Sequence, residues 1–364
     1  MCHGGVVNAP LGRPSVGHAT RIFIDTSKNL FQLHGVDADE QVVVRKRLRR
    51  GQVLEYFARL SAPVTVGLEA CGGAHYWARQ LVKLGHEAKL IAPQHVKAYV
   101  KRGKNDARDA EAGCEAMSRP TMRFVPIKDE ARQAAQMLSG VRQRLLRERT
   151  RLTNEIRGYA SEFGLVAAKG LDKIEPLLAS LAAAEGLPAL AKEQFAELGK
   201  ELAGLETQIE KAERRFLAHQ RQDELSRRLE TIPGVGPVGA MMLSTKTPDP
   251  HLFKCGRDFA AWMGLTPKDH STAGKVRLGV ITRAGDEDLR AVLVSGAMSV
   301  IQHAQAGRSP PTPWLAELLR HKKPKEAAIA LANKTARIAW KLMVSGQAYQ
   351  AELHAQATPL PAVA

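Results

Sequence analysis

The sequence predicts an α/β domain in the first third of the chain and a mainly α-helical remainder, on three observations. Between residues 21 and 92, short β-branched runs alternate with segments of helical spacing. Two of the runs close on an acid, Asp25 and Glu69, and α/β sheets gather ligand groups at the carboxyl ends of their strands. From about Lys128 onward, apolar residues recur at helical spacing instead.

Taken in order, residues 1–20 are rich in Gly and Pro and read as a flexible leader without the apolar core of a signal peptide. Residues 21–25 have the pattern of a buried central strand. Strands are expected at 31–36 and 41–45 around the polar turn Asp37, Ala38, Asp39, Glu40, and a helix from about Gln52 to Leu60. Residues 63–69 form a strand, the Gly72-Gly73 turn leads into a helix over 74–84, and 88–92 is a strand stopped by Pro93. Residues 104–111 open a helix whose i,i+3 spacing puts Asp106 and Asp109 on one face.

Ala134, Met137, Leu138, Val141, Leu145, Leu146, Leu152 and Ile156 then recur on one face, with Arg142, Arg144, Arg147, Arg149, Arg151 and Arg157 on the remaining surface. Residues 171–184 and 187–220 continue the pattern, which predicts an extended helical arm, an antiparallel coiled coil. The pattern breaks near Arg228. Helices are expected at 239–243, 253–263, 288–302 and 325–344, with an irregular loop or short hairpin at 264–285 and a Pro-rich linker at 307–313. The expected division is a leader (1–20), an acidic α/β domain (21–127), an arm (128–228), a mainly helical C-terminal domain (229–350) and a disordered tail (351–364).

At 364 residues the chain is long enough for two or more cores. Its 53 Lys and Arg outnumber 37 Asp and Glu, a formal net charge of +16 and a pI near 9.9, which suits a polyanionic partner such as nucleic acid. No apolar run reaches the ~18 residues of a membrane span, and there is no basic amphipathic anchor. The four cysteines form no C-x-x-C pair, which argues against a disulfide framework or cysteine zinc site and fits a reducing cytoplasm.

Three constellations could carry chemistry. Asp25, Glu69, Asp106 and Asp109 place two acids at strand ends and two on a helix face, the way an RNase H-like fold collects oxygen ligands for two divalent metals about 4 Å apart. Pro233, Gly234, Val235 and Gly236 between helical segments could present backbone N–H groups to phosphate, and a plain helix-to-helix turn would use the same residues. Ser271 and Thr272 are adjacent hydroxyls in a Gly-containing loop with His270, Lys275, Arg277 and Arg283 nearby. They could supply a nucleophile and cations for a phosphodiester, or simply a turn.

Together these stretches resemble the DEDD transposases of bacterial insertion sequences, bridge-RNA-guided serine recombinases. Five anchors carry the resemblance in order. They are 24–28, 68–70 (running on as Cys71, Gly72, Gly73, Ala74, His75), 104–110, 232–236, and 264–267 leading into the serine loop and 281–285. The resemblance implies a RuvC-like N-terminal domain, a coiled-coil arm and a C-terminal transposase domain. It implies that Asp25, Glu69, Asp106 and Asp109 are the catalytic acids and hold Mg²⁺, two ions, with Mn²⁺ as a substitute. Ser271 becomes the nucleophile that forms a covalent link to DNA, with Thr272 the other register. Gly234, Gly236, Lys275, Arg277 and Arg283 become nucleic-acid contacts. Partners are donor and target DNA, a guide RNA and further copies of the chain, dimer to tetramer, in the bacterial cytoplasm at the nucleoid and not at a membrane. Two other classes remain: a RuvC-like junction nuclease using metal-activated water without a covalent intermediate, and a non-catalytic nucleic-acid-binding protein.

Overall fold

The computed structural model describes residues 19–100, 106–272 and 274–350. The expected leader, all but its last two residues, lies outside the described residues, as do the tail 351–364, residues 101–105 and the side chain of Asp106. The chain divides into two compact units, Met1–Glu130 and Ala131–Ala364.

In the first unit β1 (Arg21–Thr26), β2 (Leu30–Val36) and β3 (Val42–Arg49) form an antiparallel meander, followed by α1 (Val53–Ala58). Then come β4 (Thr65–Glu69), α2 (Ala74–Lys83), β5 (Glu87–Ile91), α3 (Pro93–Lys97), α4 (Asp106–Ala116) and the two-residue β6 (Phe124–Val125). The sheet order is β3-β2-β1-β4-β5-β6, with β1, β4 and β5 mutually parallel. β1 is apolar on both faces because both are covered. Ile22 and Ile24 pack with Val66, Leu68, Phe57, Trp77 and Leu81 in the layer of α1 and α2. Phe23 faces the opposite layer with Ile91, Val96 and the small residues Ala110, Ala112, Cys114 and Ala116 of α4. His86 is a core residue of this unit: its Nδ1 accepts the Val64 N–H at 3.3 Å and its Nε2 lies 3.1 Å from the Phe57 carbonyl.

β3 runs four residues beyond the expected end at Arg45, because an edge strand leaves its charged side chains in water and charge does not terminate it. β6 was not expected; two residues carry too little periodicity to be read.

The second unit contains α5 (Glu130–Glu162), which begins on the last residue of the first, then α6 (Ile174–Ala183) and α7 (Ala189–Gln222). Arg142 pairs with Glu213 at 2.7 Å and Arg149 with Glu206 at 3.4 Å, so α5 and α7 run antiparallel. Leu145, Leu152 and Ile156 meet Leu205, Ile209 and Ala212 along the seam, with Ile174 and Leu177 of α6 closing it. α8 (Glu224–Glu230), α9 (Pro237–Lys246), α10 (Gly256–Trp262), the hairpin β7 (Pro267–Asp269) and β8 (Leu278–Ile281), α11 (Glu287–Gln305), α12 (Pro313–His321) and α13 (Pro324–Ser345) complete the unit. Its core is an alanine face of α13, Ala328, Ala332, Ala336 and Ala339, against α10 and α11. α12 stands next to the stretch the sequence predicts as a linker: Pro313 reads as linker from its neighbours, whereas here it occupies the first helical turn and Thr312 Oγ1 accepts the Leu315 N–H at 3.3 Å.

Candidate active site

Alternation along the strands decides where the acids lie. Phe23 belongs to the α4 side of the sheet, so Asp25, two residues on, shares that side. Val66 and Leu68 belong to the other layer, so Gly67 and Glu69 also face α4. β1 and β4 are parallel neighbours in the register Ile24 to Leu68, and the next step sets Asp25 beside Glu69, one strand spacing of about 4.8 Å away.

The helix must approach closely to bring its own acids to this row. A Cβ at Gly113 would lie 2.2 Å from the Phe23 ring, and one at Gly67 would lie 2.6 Å from the same ring and 2.7 Å from Met117 Sδ. Glycine at both positions, with alanine at 110, 112 and 116, lets α4 lie directly on Phe23. Arg21 Nε also donates to the Cys114 carbonyl at 3.2 Å while its guanidinium pairs with Glu40. Asp109, half-buried, lies one turn before Ala112 and Gly113, on the helix face turned to the sheet. Its negative charge reaches Glu69: burial first, then Asp109, raises the Glu69 carboxyl above its ordinary range. Asp106 is the first residue of α4, one turn before Asp109.

One contact joins the strand ends of the row, and a histidine of α2 binds the chain near Lys128. Thr26 Oγ1 and Cys71 Sγ are 3.1 Å apart, linking the end of β1 to the loop after β4. His75 Nδ1 accepts the Lys128 N–H at 3.2 Å, and burial together with Lys128 and Arg79 lowers its pKa to about 4, so it is neutral at physiological pH.

The serine loop is the tip of the hairpin in the second unit. Asp269 pairs with Leu278 and Thr272 bridges Lys275, so successive residues alternate between the two faces. Ser271 falls on the face of the exposed Val276 and Leu278, and Thr272 on the face of His270, Lys275 and Arg277. The Ser271 N–H donates to Asp269 Oδ1 at 2.8 Å, and Ser271 Oγ accepts the Arg277 N–H at 3.0 Å. Hydrogen bonds from the Ser271 side chain and backbone hold the Asp269 carboxyl below its ordinary range. A Cβ at Gly279 would sit 3.1 Å from the His270 ring, so that ring lies over the opposite strand.

The base of the hairpin is clamped to the helices. Gly264 and Gly285 both have positive φ, 72° and 76°, and a Cβ on either would lie 2.3 Å or less from backbone of the facing segment. Arg290 Nη1 of α11 donates to the carbonyls of Met263 at 3.0 Å and Ala284 at 2.8 Å. Arg283, exposed, sits at this base with φ 57°. Neither Arg290 nor Asp269 was singled out from sequence, because both act through backbone groups that only the fold brings near.

In the turn between α8 and α9, Gly234 has φ 83°, and a Cβ on Gly296 of α11 would lie 1.8 Å from its carbonyl oxygen. Gly234 is thus packed backbone to backbone against α11, while Gly236 is exposed at the N-cap of α9.

Residues 226–310 match the family model described as Transposase IS116/IS110/IS902 family, and residues 22–163 match the model of IS110-type DEDD transposases. The chain belongs to the IS110 family of DEDD transposases. A relative in Sinorhizobium fredii (strain NBRC 101917 / NGR234), named as a transposase, is 60% identical over 95% of this chain and 89% of its own length. The transposase for insertion sequence element IS1328 of Yersinia enterocolitica is 39% identical over 91% of this chain and 99% of its own. That for IS1111A of Coxiella burnetii is 37% identical over 90% of each.

This transposase is therefore an enzyme of an insertion sequence that acts on DNA, and its mixed α/β sheet followed by a mostly helical part is consistent with a RuvC-like fold. Membership of the DEDD group implies dependence on a divalent metal, typically Mg²⁺. The donor set fits: Asp25, Glu69 and Asp109 offer only carboxylate oxygens, and a cation would relieve the charge that raises Glu69. Among the described residues, no three His, Cys, Asp or Glu side chains group closely enough to hold a metal ion, which leaves Glu69 and Asp109 as a pair with Asp25 beside it. No described helix is long and apolar enough to cross a membrane.

Proposed function

We propose that this transposase cuts and rejoins DNA through a covalent serine link, guided by a structured RNA. The observation that carries the reading is the convergence of Asp109 on Glu69, at the sheet end where Asp25 also lies. Asp25, Glu69, Asp106 and Asp109 would hold the divalent ions, Mg²⁺ or Mn²⁺, which when bound supply positive charge against a phosphodiester. Ser271 presents its hydroxyl from a hairpin tip exposed to solvent, held by Asp269 and by the Arg277 N–H. Its Oγ attacks phosphorus; an Oγ–P bond forms as one backbone P–O bond breaks, the serine proton leaves, and the departing DNA oxygen takes one up. Attack by a second DNA hydroxyl reverses the exchange, so the number of phosphoester bonds is conserved. Lys275, Arg277 and Arg283 offer cations to the phosphate, and Gly236 leaves the start of α9 open to a second one.

In this reading residues 21–127 form the RuvC-like domain, 128–228 the coiled-coil arm and 229–350 the transposase domain. The working assembly is a dimer to tetramer in which one copy's hairpin serves another copy's acids. Guide RNA pairs with donor and target DNA, which assigns sequence reading to base pairs.

Incubating the protein with RNA and DNA containing the element's junctions, then denaturing, should reveal a protein–DNA adduct. Ser271→Ala should abolish it and Thr272→Ala should retain it. The reverse pattern would move the nucleophile to Thr272. Free cleaved ends with no adduct would favour the junction nuclease.

A further inference from the structure

The row of the sheet that contains Asp25 continues to a cationic edge. Asp25 lies opposite Gln32 on β2, and Gln32 lies opposite Arg47 on β3. Phe23, His34 and Arg45 make the adjoining row in the same way. Directly paired residues share a face, so Arg45 and Arg47, with Arg49 two further on, lie on the side of Phe23 and the acids. The intervening Val44 and Leu48 are buried in the opposite layer. Lys46 and Arg50 go with them: Lys46 Nζ sits 5.0 Å from the centre of the Tyr56 ring, and the Arg50 guanidinium 5.0 Å from that of Trp77. Of the five cations from Arg45 to Arg50, strand alternation puts Arg45, Arg47 and Arg49 on the acid side, while Lys46 on the strand and Arg50, just past its end, sit against aromatic rings behind it.

Like charges this dense repel, and on the acid side the partner the sheet offers is neutral: Arg47 donates through Nε and Nη2 to the Gln32 side-chain oxygen at 2.7 and 3.1 Å. Among the described residues, the ion pairs nearest in the chain, Arg21 with Glu40 and Arg59 with Glu55, leave all five cations out. Protecting a sheet edge from aggregation needs only one or two charges and gives no reason to select the face that carries the acids. Arg45, Arg47 and Arg49 are exposed, about 7 Å apart along the strand, a spacing comparable to that of adjacent phosphates on one nucleic-acid strand. Arg47 lies two strand spacings, about 10 Å, from Asp25.

We infer that Arg45, Arg47 and Arg49 form a track for the phosphate backbone of the substrate DNA, leading across the sheet to the acids. This rests on Asp25, Glu69 and Asp109 being the active site. Guanidinium groups suit the partner, since each can grip a phosphate through two N–H donors.

The test is the salt dependence of binding by the full chain to a fluorescent DNA duplex of fixed length, read by anisotropy. Replacing all three (Arg45→Gln, Arg47→Gln, Arg49→Gln) should flatten the slope of log affinity against log salt by about two to three. The corresponding Lys triple should keep the slope, and Lys46→Gln with Arg50→Gln, on the opposite face, should leave it at the wild-type value. An unchanged slope in the Gln triple, an equal loss in the opposite-face pair, or a loss seen only with an RNA hairpin of matched charge would overturn the track. Asp25→Asn separates the two readings: it should abolish cutting and leave the slope intact. Cutting that survives Asp25→Asn would defeat the active-site reading, whatever the slope shows.

Discussion

Glu69 is the residue on which the electrostatics of the acidic row concentrate. Burial and the Asp109 charge hold its carboxyl above the ordinary value of 4.5, so the folded chain binds that proton more tightly than the unfolded chain. Its contribution to stability is therefore largest below the ordinary carboxylate range and is lost as pH rises through the raised folded value. A divalent cation acts in the opposite direction, stabilising the ionised pair. In metal-free protein at pH 7, Glu69→Gln should melt higher than wild type, and added Mg²⁺ should raise the Tm of wild type but not of the variant. An equal rise in both would show that the ion binds elsewhere. Asp25 and Glu69 were legible in the sequence because each closes an apolar run. Asp269 was not, since its bond to the Ser271 N–H depends on the turn of the hairpin.

At the scale of elements, α4 shows how a helix is brought close enough to add acids to a sheet. Alanine in place of Gly113 would by propensity alone stabilise the helix by about 1 kcal/mol. The Phe23 ring, 2.2 Å from the added Cβ, decides otherwise. Overpacking costs about 1–3 kcal/mol, so Gly113→Ala should lower the denaturant midpoint and, by lifting Asp109 from Glu69, reduce cleavage as well. Adding Phe23→Leu should recover part of the stability; no recovery would place the strain elsewhere. The small residues at 110, 112, 113 and 116 are visible in the sequence, but the ring they accommodate is more than eighty positions away. The hairpin repeats the point: its loop character was legible, whereas its anchoring by Gly264, Gly285 and Arg290 required the neighbouring helices.

At the scale of the whole molecule, the division at Glu130 gives two units with separate cores. A fragment spanning 19–130 should fold alone, with mixed α/β circular dichroism and a single melting transition. Its Tm should rise with Mg²⁺ while it forms no DNA adduct. A fragment that lacks cooperative melting would show that the sheet needs the second unit to fold. The basic balance of the chain belongs to this scale too, because +16 favours association with DNA without saying where DNA lies.

The sequence by itself determined the chemical inventory: the acids and their order, adjacent hydroxyls in a Gly-containing loop, the basic excess, and the change from strand to helix spacing near Lys128. Those are properties of composition and of period along the chain, so they can be read locally. Only the tertiary structure decided the neighbours. Strand pairing aligns Asp25 with Glu69 on one side and with Gln32 and Arg47 on the other, and hairpin register sends Ser271 and Thr272 to opposite faces. A one-residue shift in any of these pairings would leave the local pattern intact and turn each side chain to the other face, which is why the site had to be folded to be found.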